Sequence, residues 1–355
     1  MRRTLEPKEY LLSSGDLYLD NAAYRPMTSA VQAEWLRWAH DFQANPSSSH
    51  RAGRQAQKEW ETKLEELAEF FGVQPRNCIA VSGSTEAINT YLKSFLFIDS
   101  SRKVFVCPEN EHPATLKTLE WMANYGFETK LGLLNTTGFC EEDSILDLLN
   151  EDVACVVLSK VNGETGYVSD ISRIGDRCNQ LGIQLFIDAT QTVGKFEMDD
   201  VVKYASGFCF SSSKIGAGTG AGFLILLDNF PLQTLMAGGG HQANRRSGTL
   251  NLSSMLCTVT ALNELQNIAP PALQEITAFM QVTFNMPLEF ESMQNLGLNP
   301  WIHLVGLPYD EADLHSNIPW LAISNGTACS SSTLTSPKSY ELLNTRSNQL
   351  YRLSL

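Results

Sequence analysis

The sequence contains no long apolar run, and its first residues do not resemble a secretory signal. A membrane-spanning helix needs about 20 consecutive apolar residues, and no stretch of this chain approaches that length. Residues 1–7 lack the apolar segment of a secretory signal. We therefore expect a cytoplasmic protein that has no membrane partner.

The chain also lacks an excess of positive charge. It has 26 lysine and arginine residues against 39 aspartate and glutamate residues, which gives a formal net charge of -13. Proteins that bind nucleic acid neutralise its phosphates with clustered cations, and this charge balance argues against direct binding of nucleic acid. We expect small molecules and other proteins as partners.

Cysteine pairs at metal-binding spacing are absent. The cysteines stand at positions 78, 107, 140, 155, 178, 209, 257 and 329, and none forms a Cys-x-x-Cys pair. Neither a zinc knuckle nor a disulfide framework is indicated, so we expect no metal site and reduced thiols.

What the sequence does contain is an alternation of strand and helix patterns. Apolar runs of strand length occur at 78–81, 103–107, 154–158, 184–187, 207–210 and 223–227, with helical patterns between most of them. This alternation is typical of an α/β fold whose mostly parallel sheet is covered by helices on both faces. Weaker strands at 301–305 and 321–323 follow a helical segment. We predict a large domain, residues 16–252, and a smaller C-terminal α/β domain, residues 253–355 together with 1–15.

Two polar residues follow two of these strands. Asp188 comes directly after the strand at 184–187, and Lys214 follows the strand at 207–210 and three serines. Because ligands of open α/β sheets bind at the carboxyl ends of the strands, we expect both side chains at one rim. A lysine for a Schiff base and an acid for a pyridinium nitrogen are what a pyridoxal-phosphate enzyme requires. The plainer alternatives are that Asp188 caps a helix and that Lys214 is a surface amine.

A glycine-rich run at 216–222 follows the lysine. Its glycines stand at every second position, so they lack the Gly-x-Gly-x-x-Gly spacing of a dinucleotide-binding loop, and no helical pattern follows them. We interpret the run as flexible backbone close to a ligand or a subunit boundary.

Two further segments carry residues suited to a cofactor. Ser84 and Thr85 precede a helical pattern, and hydroxyls together with the free N–H groups of a helix amino terminus can bind a phosphate. Simple N-capping is the alternative. His112 follows the strand at 103–107, where an imidazole could stack on a planar cofactor and move protons. Helix capping or core packing is the usual role of a lone histidine.

Cys329 differs from the other seven cysteines, which we expect to be small buried hydrophobic residues. Its neighbours at 324–333 are small and polar, which is typical of an exposed loop. An exposed thiol is available as a nucleophile. Cys329 is therefore either a catalytic residue or a loop cysteine without a chemical role.

Taken in order, these segments resemble the cysteine desulfurases, in the class V aminotransferase group of fold-type-I pyridoxal-phosphate enzymes. The matches follow one another along nearly the whole chain. They are YLDNAA (18–23), NPSSSH (45–50), SGSTE (82–86), EH (111–112), DATQ (188–191), Lys214, GGGH (238–241), RSGT (246–249) and ACS (328–330).

The resemblance implies roles for the residues at the cofactor. Lys214 would carry pyridoxal 5'-phosphate, Asp188 would hold the ring nitrogen, and Gln191 would bond the ring hydroxyl. His112 would stack on the ring and move protons. The residues implied for the phosphate are Ser84, Thr85, Ser211 and Ser213, with Thr249 reaching in from the partner subunit of a homodimer.

The resemblance also implies how a substrate would be handled. Arg352 and Asn21 would bind the substrate L-cysteine, with Arg352 gripping its carboxylate. Cys329 would take the sulfur as a persulfide, leaving alanine to be released. The persulfide would pass its sulfur to an acceptor or scaffold protein, for iron-sulfur cluster assembly or thiolated cofactors.

Three features depart from the family pattern. Asn162-Gly163-Glu164 stands where the family has two asparagines before the glutamate, and the second asparagine normally contacts the ring hydroxyl. Ser213 stands where the family has a histidine. The chain also ends three residues after Arg352, so we expect this end to fray and Arg352 to be held weakly.

Three functions are therefore in competition. The first is a pyridoxal-phosphate-dependent cysteine desulfurase, a sulfurtransferase that converts L-cysteine to L-alanine. The second is another class V enzyme, either an aminotransferase or a selenocysteine or other C–S lyase. The third is a degenerate, non-catalytic paralogue that acts as a binding protein, and the joint presence of Lys214, Asp188, Gln191 and His112 argues against it.

Overall fold

The computed structural model describes residues 2–41, 44–136, 138–284, 291–292, 299–307, 311–324, 339–340 and 350–355. Its strands are β1 (Arg3–Thr4), β2 (Leu17–Tyr18), β3 (Cys78–Val81), β4 (Val104–Pro108), β5 (Glu128–Gly132), β6 (Val153–Ser159), β7 (Gln184–Asp188), β8 (Gly207–Ser211), β9 (Gly222–Leu226), β10 (Ile268–Ala269), β11 (Glu291–Ser292), β12 (Ile302–Gly306), β13 (Leu321–Ala322) and β14 (Leu350–Ser354).

The described helices are α1 (Ser29–Asp41), α2 (Arg51–Phe71), α3 (Ser84–Ser94), α4 (Pro113–Ala123), α5 (Glu142–Leu146), α6 (Ser172–Leu181), α7 (Asp199–Tyr204), α8 (His241–Asn244), α9 (Leu252–Leu265), α10 (Leu273–Phe284) and α11 (Glu311–Asn317). Single 3-10 turns span Pro7–Tyr10, Pro75–Asn77, Phe95–Phe97 and Ser212–Lys214. None of these helices combines the length and apolar character that crossing a membrane requires.

A seven-stranded sheet with the order β3-β9-β8-β7-β6-β4-β5 forms the centre of the molecule. The neighbouring pairs from β8 to β5 are parallel, whereas β9 runs antiparallel to both β8 and β3. This arrangement confirms the predicted α/β fold with a mostly parallel sheet. Because parallel strands share a direction, their carboxyl ends meet at one edge, which is where the candidate site lies.

The strand sequences explain why the sheet is buried on both faces. All seven residues of β6 are buried, as expected for the continuous apolar run of a parallel strand. Along β4, Val104 and Val106 pack into one hydrophobic cluster while Phe105 and Cys107 pack into another. The sheet therefore separates two layers of core, each covered by helices.

The predicted strands agree with the observed ones within one residue at each end. β5 was not predicted, because Glu128–Gly132 contains charged residues and no continuous apolar run. It lies at the edge of the sheet and is partly exposed, and edge strands often carry such polar residues.

The C-terminal strand is firmly held, and the expectation that it frays is wrong. β14 pairs with β12 along its whole length, and every residue of Leu350–Ser354 is buried. Leu355 continues the contact, since its N–H donates to the Trp301 carbonyl at 2.8 Å. Arg352 therefore lies on a buried strand that is paired with β12, and not on a frayed end.

A third hydrophobic cluster joins the N-terminal segment to the C-terminal region. It contains Leu17, Leu19, Ile276, Val305 and Leu353 among its members. The division at residue 252 stays a prediction. We propose that α9, which begins at that point, belongs with the large domain, because its buried face contributes to the cluster beneath the large sheet and packs against α1 and α2.

Candidate active site

One cavity of 360 Å³ at the carboxyl edge of the sheet brings most of the predicted site residues together. Its volume lies in the usual range for small-molecule sites. The predicted residues that line it are Ser84, Thr85, His112, Asp188, Gln191, Ser211, Ser213, Lys214 and Arg352. Residues that were not assigned a role from the sequence complete the lining, namely Ala22, Asn110, Pro113, Ser159, Val161, Asn162, Gly163, Glu164 and Thr190.

The ends of β7 and β8 bring the acid and the amine to this rim. Asp188 is the last residue of β7 and pairs in register with Cys209 on β8. Lys214 closes the 3-10 turn that follows β8, and its amine donates to the Ala23 carbonyl. Lys214 is therefore not a surface amine, and the placement of both groups at one rim matches the expectation from the sequence.

Asp188 is held by its own turn rather than by a helix. Its side chain is buried, and Oδ1 accepts a hydrogen bond from the Thr190 N–H at 2.9 Å. The Cys209 thiol lies 4.0 Å from the same oxygen. A carboxylate fixed in this way at the floor of the cavity is suited to bind a cationic ring nitrogen.

A cluster of hydroxyls lies at the amino terminus of α3. The Ser84 N–H donates to Ser211 Oγ at 2.8 Å, and Ser84 Oγ lies 2.5 Å from Thr190 Oγ1. The N-cap residue of α3 is Gly83, which has no side chain that could cap the helix. The alternative that Ser84 or Thr85 is a simple N-cap residue is therefore excluded. Hydroxyls and a helix amino terminus together make an anion cup.

The backbone beside this cup is closely packed at Gly83 and Gly222. Gly222, the first residue of β9, packs so tightly that a Cβ there would lie 2.6 Å from Gly83 Cα. The glycine-rich run that ends at Gly222 leads into a strand and not into a helix, which agrees with the rejection of a dinucleotide loop. Thr190 is the member of the cup that the sequence analysis missed, although it stands between Asp188 and Gln191.

His112 both caps α4 and lines the cavity. Its Nδ1 accepts a hydrogen bond from the Ala114 N–H at 3.0 Å. A ring nitrogen that accepts a bond carries no proton, so neutral His112 carries its proton on Nε2. The capping alternative and the proton-transfer role are thus compatible, since capping fixes the tautomer that can donate.

Two glutamates near His112, Glu111 and Glu164, have raised pKa values. Glu111 is buried and accepts bonds from the Ser159 N–H and Oγ–H, both at 2.7 Å. Burial, helped by the nearby charge of Asp188, raises the pKa of Glu111 to about 7, although the hydrogen bonds from Ser159 act in the opposite direction. Burial also raises the pKa of Glu164 to about 7, although the charges of Arg352 and His112 oppose that shift. Neither carboxyl was singled out from the sequence.

Arg352 reaches the cavity from β14. Its Nη2 donates to Asp20 Oδ1 at 2.7 Å and its Nη1 to the Gly163 carbonyl at 2.9 Å. Asn21 lies beside the cavity but does not line it, because its Nδ2 donates to the Ser354 carbonyl at 3.1 Å. Its role in substrate binding stays a prediction.

Two predicted residues are not brought into this cavity. Thr249 is exposed and lines a separate cavity of 480 Å³ that also involves Trp60 and Gln242, so its role from a partner subunit stays a prediction. Cys329 lies outside the described residues. Of the other seven cysteines, six are buried as expected, and Cys140 is half-buried.

The residues of the first cavity fit pyridoxal phosphate. An amine, a buried carboxylate and a hydroxyl cup at a helix terminus are the groups that hold its aldehyde carbon, ring nitrogen and phosphate. All three lie around one cavity. Fold and site together define the class of pyridoxal-phosphate enzymes with this α/β architecture.

Comparison with known proteins agrees with this assignment. Residues 17–278 match the model of the family Aminotransferase class-V, and the chain belongs to that family, whose members depend on pyridoxal phosphate. Within it, the chain groups with the cysteine desulfurases. The cysteine desulfurase IscS of Pectobacterium carotovorum subsp. carotovorum is 30% identical over 336 residues, which cover 90% of this chain and 81% of that protein. IscS of Salmonella typhi is 29% identical over 333 residues, with the same coverage.

Solved structures share the fold. A structure described as SspA in complex with cysteine has a TM-score of 0.81 at 22% identity and covers 95% of this chain and 98% of its own. A NifS-like protein has a TM-score of 0.79 at 22% identity, with coverage of 96% and 93%. The chain thus has the fold of these proteins over nearly its whole length.

Proposed function

We propose that the protein is a cysteine desulfurase that converts L-cysteine to L-alanine and takes the sulfur as a persulfide on Cys329. The observation that carries this proposal is the single cavity shared by Lys214, Asp188, Gln191, His112 and Arg352. Pyridoxal phosphate, when bound there, supplies an electron sink for the negative charge that develops on the substrate.

Each residue of the cavity has a task that follows from its position. Lys214 would carry the cofactor, and its amine would first release the Ala23 carbonyl. Asp188 would hold the ring nitrogen in its protonated form because it places a fixed negative charge there. His112 would give or take a proton at Nε2, since Nδ1 is occupied by the Ala114 N–H.

The carboxylate of the substrate would bind at Arg352. A guanidinium presents parallel N–H donors that match a carboxylate, and Asp20 fixes its orientation from the other side. Glu164 lies in the same lining, and its raised pKa, about 7, keeps much of it uncharged at neutral pH. The uncharged form of Glu164 would repel the incoming carboxylate less than the ionised form does.

Chain geometry supports the assignment of Cys329. Ser324 pairs through its backbone with Arg352 on the rim of the cavity, with Arg352 N–H donating to the Ser324 carbonyl at 2.6 Å. Cys329 is five positions along the chain from that anchor, and a fully extended chain of this length spans at most ~18 Å. Ser339, which stands ten positions after Cys329 in the sequence, is also held near the cavity, because its Oγ accepts from Asn110 Nδ2 at 3.2 Å. This short connection to a residue that lines the cavity supports the proposal that Cys329 takes the sulfur.

Sulfide release tests this proposal. Purified protein loaded with pyridoxal phosphate should release sulfide from L-cysteine in the presence of a reductant, and Cys329→Ala should abolish the release while keeping the cofactor absorbance. Cys140→Ala is the matched control, because Cys140 is the half-buried thiol of the described chain. Sulfide release that survives Cys329→Ala would favour a C–S lyase, and failure to bind the cofactor would favour a non-catalytic paralogue.

We further propose that the enzyme is a cytoplasmic homodimer and passes its sulfur to an acceptor or scaffold protein, as iron-sulfur cluster assembly requires. The exposure of Thr249, away from Lys214, supports a site completed by the partner subunit. Mixing Lys214→Ala with Thr249→Ala subunits should restore activity that neither variant has alone, because a mixed dimer contains one intact site. No restoration would place Thr249 in the site of its own chain.

A further inference from the structure

Two protein groups fix the side-chain amide of Gln191 in one orientation. Its Nε2 lies 2.9 Å from the Ala22 carbonyl oxygen, and its Oε1 lies 2.8 Å from the Lys195 amine. A carbonyl oxygen can only accept a hydrogen bond, so the nitrogen of Gln191 must be the atom that faces Ala22. The alternative flip of the amide would set two oxygens against each other and is excluded by this contact.

Lys195 is an unusual partner because it is a deeply buried amine. Its exposed fraction is 2%, and that of Gln191 is 7%. Burial lowers its pKa well below the usual value for lysine, and the positive charges of Arg25, Lys214 and Arg352 lower it as well. An ammonium is costly at such a site, and Lys195 can donate its hydrogen bond to Gln191 Oε1 whether or not it is protonated.

The fixed amide presents a donor to the cavity. An amide nitrogen carries two N–H bonds, and one of those of Gln191 is directed at Ala22. Gln191 also lines the cavity beside Gly163, where a Cβ would lie 3.8 Å from Nε2. Because Gly163 has no side chain, the second N–H of Gln191 is the polar group at this corner that can meet the ring hydroxyl of the cofactor.

We propose that Lys195 is a positioning residue for the cofactor: it holds Oε1 of Gln191 so that the amide N–H faces the ring hydroxyl and stabilises its ionised form. A hydrogen bond donated to an ionised oxygen favours that form. The inference rests on pyridoxal phosphate as the cofactor and is independent of the sulfur chemistry at Cys329.

The pH dependence of the absorbance of the bound cofactor tests this role. Without a correctly oriented donor the ionised oxygen is less stable, so Lys195→Met should move the absorbance transition to higher pH by about one unit. Gln191→Leu should move it at least as far. The double variant should show no further shift, because Lys195 acts through Gln191.

Non-additivity separates positioning from a simple effect of charge. If Lys195 acted on the cofactor through its charge or through the fold, Lys195→Met would produce the same shift in the Gln191→Leu background, and that result would overturn the proposal. A transition unmoved by Lys195→Met would overturn it too. Lys160→Met is the matched control, since Lys160 is also buried but pairs with Asp200 and the Ser169 carbonyl, and it should leave the transition in place.

A folding defect can be recognised without any activity measurement. Thermal unfolding of each variant without cofactor, compared with Lys160→Met, shows whether the fold has survived the loss of a buried lysine. If Lys195→Met does not fold, the test rests on Gln191→Leu. An unmoved transition in that variant would show that the Gln191 amide does not bond the ring hydroxyl, and it would overturn the proposal.

Discussion

The Arg352 guanidinium lies 2.7 Å from the Asp20 carboxylate across 332 residues of sequence. Both side chains are largely buried, with 5% and 17% of their surface exposed. Arg352 lines the cavity. Two of its nitrogens are held in place, because one donates to Asp20 and the other donates to the Gly163 carbonyl. The proposed binding of the substrate carboxylate by Arg352 therefore depends on a contact between residues near the two ends of the sequence.

Arg352→Lys should impair substrate binding more than turnover. A single ammonium cannot donate in parallel to Asp20, to the Gly163 carbonyl and to a substrate carboxylate. We expect KM for L-cysteine to rise roughly tenfold or more, since about 1.4 kcal/mol corresponds to a factor of ten, with a smaller change in kcat. Arg173→Lys, at an exposed pair with Asp143, should leave KM unchanged, and an unaltered KM in Arg352→Lys would contradict this assignment.

Gly163→Asn should strengthen cofactor binding. The backbone of Gly163 is outside the left-handed region, and a Cβ there would lie 3.6 Å from Gln191 Cγ, which is an ordinary contact. An asparagine at this corner can add one hydrogen bond to the cofactor, which is worth about 1 kcal/mol. We expect a several-fold lower Kd in a fluorescence titration of the cofactor-free protein. Gly163→Ala is the control for size, and weaker binding by both variants would show that the corner has no room.

Stability should fall as the pH rises toward neutrality because of Glu111. Its pKa is raised from 4.5 to about 7 by burial, so the folded protein holds a proton that the unfolded chain has already released between these values. Stability therefore decreases through this window and levels off above it. Glu111→Gln, which resembles the protonated carboxyl, should show a flatter decline in urea unfolding of the cofactor-free protein.

The surface residue Glu120 provides the comparison for this measurement. It is exposed and pairs with Lys117, so Glu120→Gln should retain the slope of the unaltered protein. Equal slopes in the unaltered protein and in Glu111→Gln would mean that Glu111 titrates alike in the folded and unfolded states.

Glu86→Gln should destabilise the protein and weaken the phosphate site. Arg246 Nε and Nη2 lie 2.7 and 3.1 Å from the two carboxylate oxygens of Glu86, and Glu86 also accepts from the Ser82 N–H. Replacing one member of this partly buried pair by a neutral amide weakens a charged hydrogen bond, which we expect to cost about 1.5–3 kcal/mol. Urea unfolding measures this loss, and Asp143→Asn at a surface pair should cost far less. A comparable cost at both sites would show that the Glu86 pair is no stronger than a surface contact.

The sequence predicts the parts of the site that follow from local order along the chain. Asp188 and Lys214 could be located because each follows an apolar strand, and the ends of parallel strands meet at one edge. Ser84 could be located because it begins a helix directly after a strand. These predictions need only the periodicity of the chain and the rule for sheet edges.

The rest depends on contacts between distant segments. The residues next to Asp20 in the sequence do not indicate that its side chain orients Arg352. The residues next to Lys195 likewise do not indicate that its amine is buried. Glu111 could be noticed only as the neighbour of His112, since its buried state arises from packing against Ser159. The expectation of a frayed end failed for the same reason, because the pairing of β14 with β12 is not visible in the sequence of either strand.

The segment from Asp20 to Ala23 makes a hydrogen bond in or beside the site at four successive positions. Asp20 bonds Arg352, Asn21 bonds the Ser354 carbonyl, and the carbonyls of Ala22 and Ala23 accept from Gln191 and Lys214. One short piece of backbone thus sets the distance between Arg352, the proposed substrate-binding residue, and the pair Gln191 and Lys214, which are proposed to hold the cofactor. Lengthening it by one residue would put every later contact out of step, so both ends of the site would be lost together.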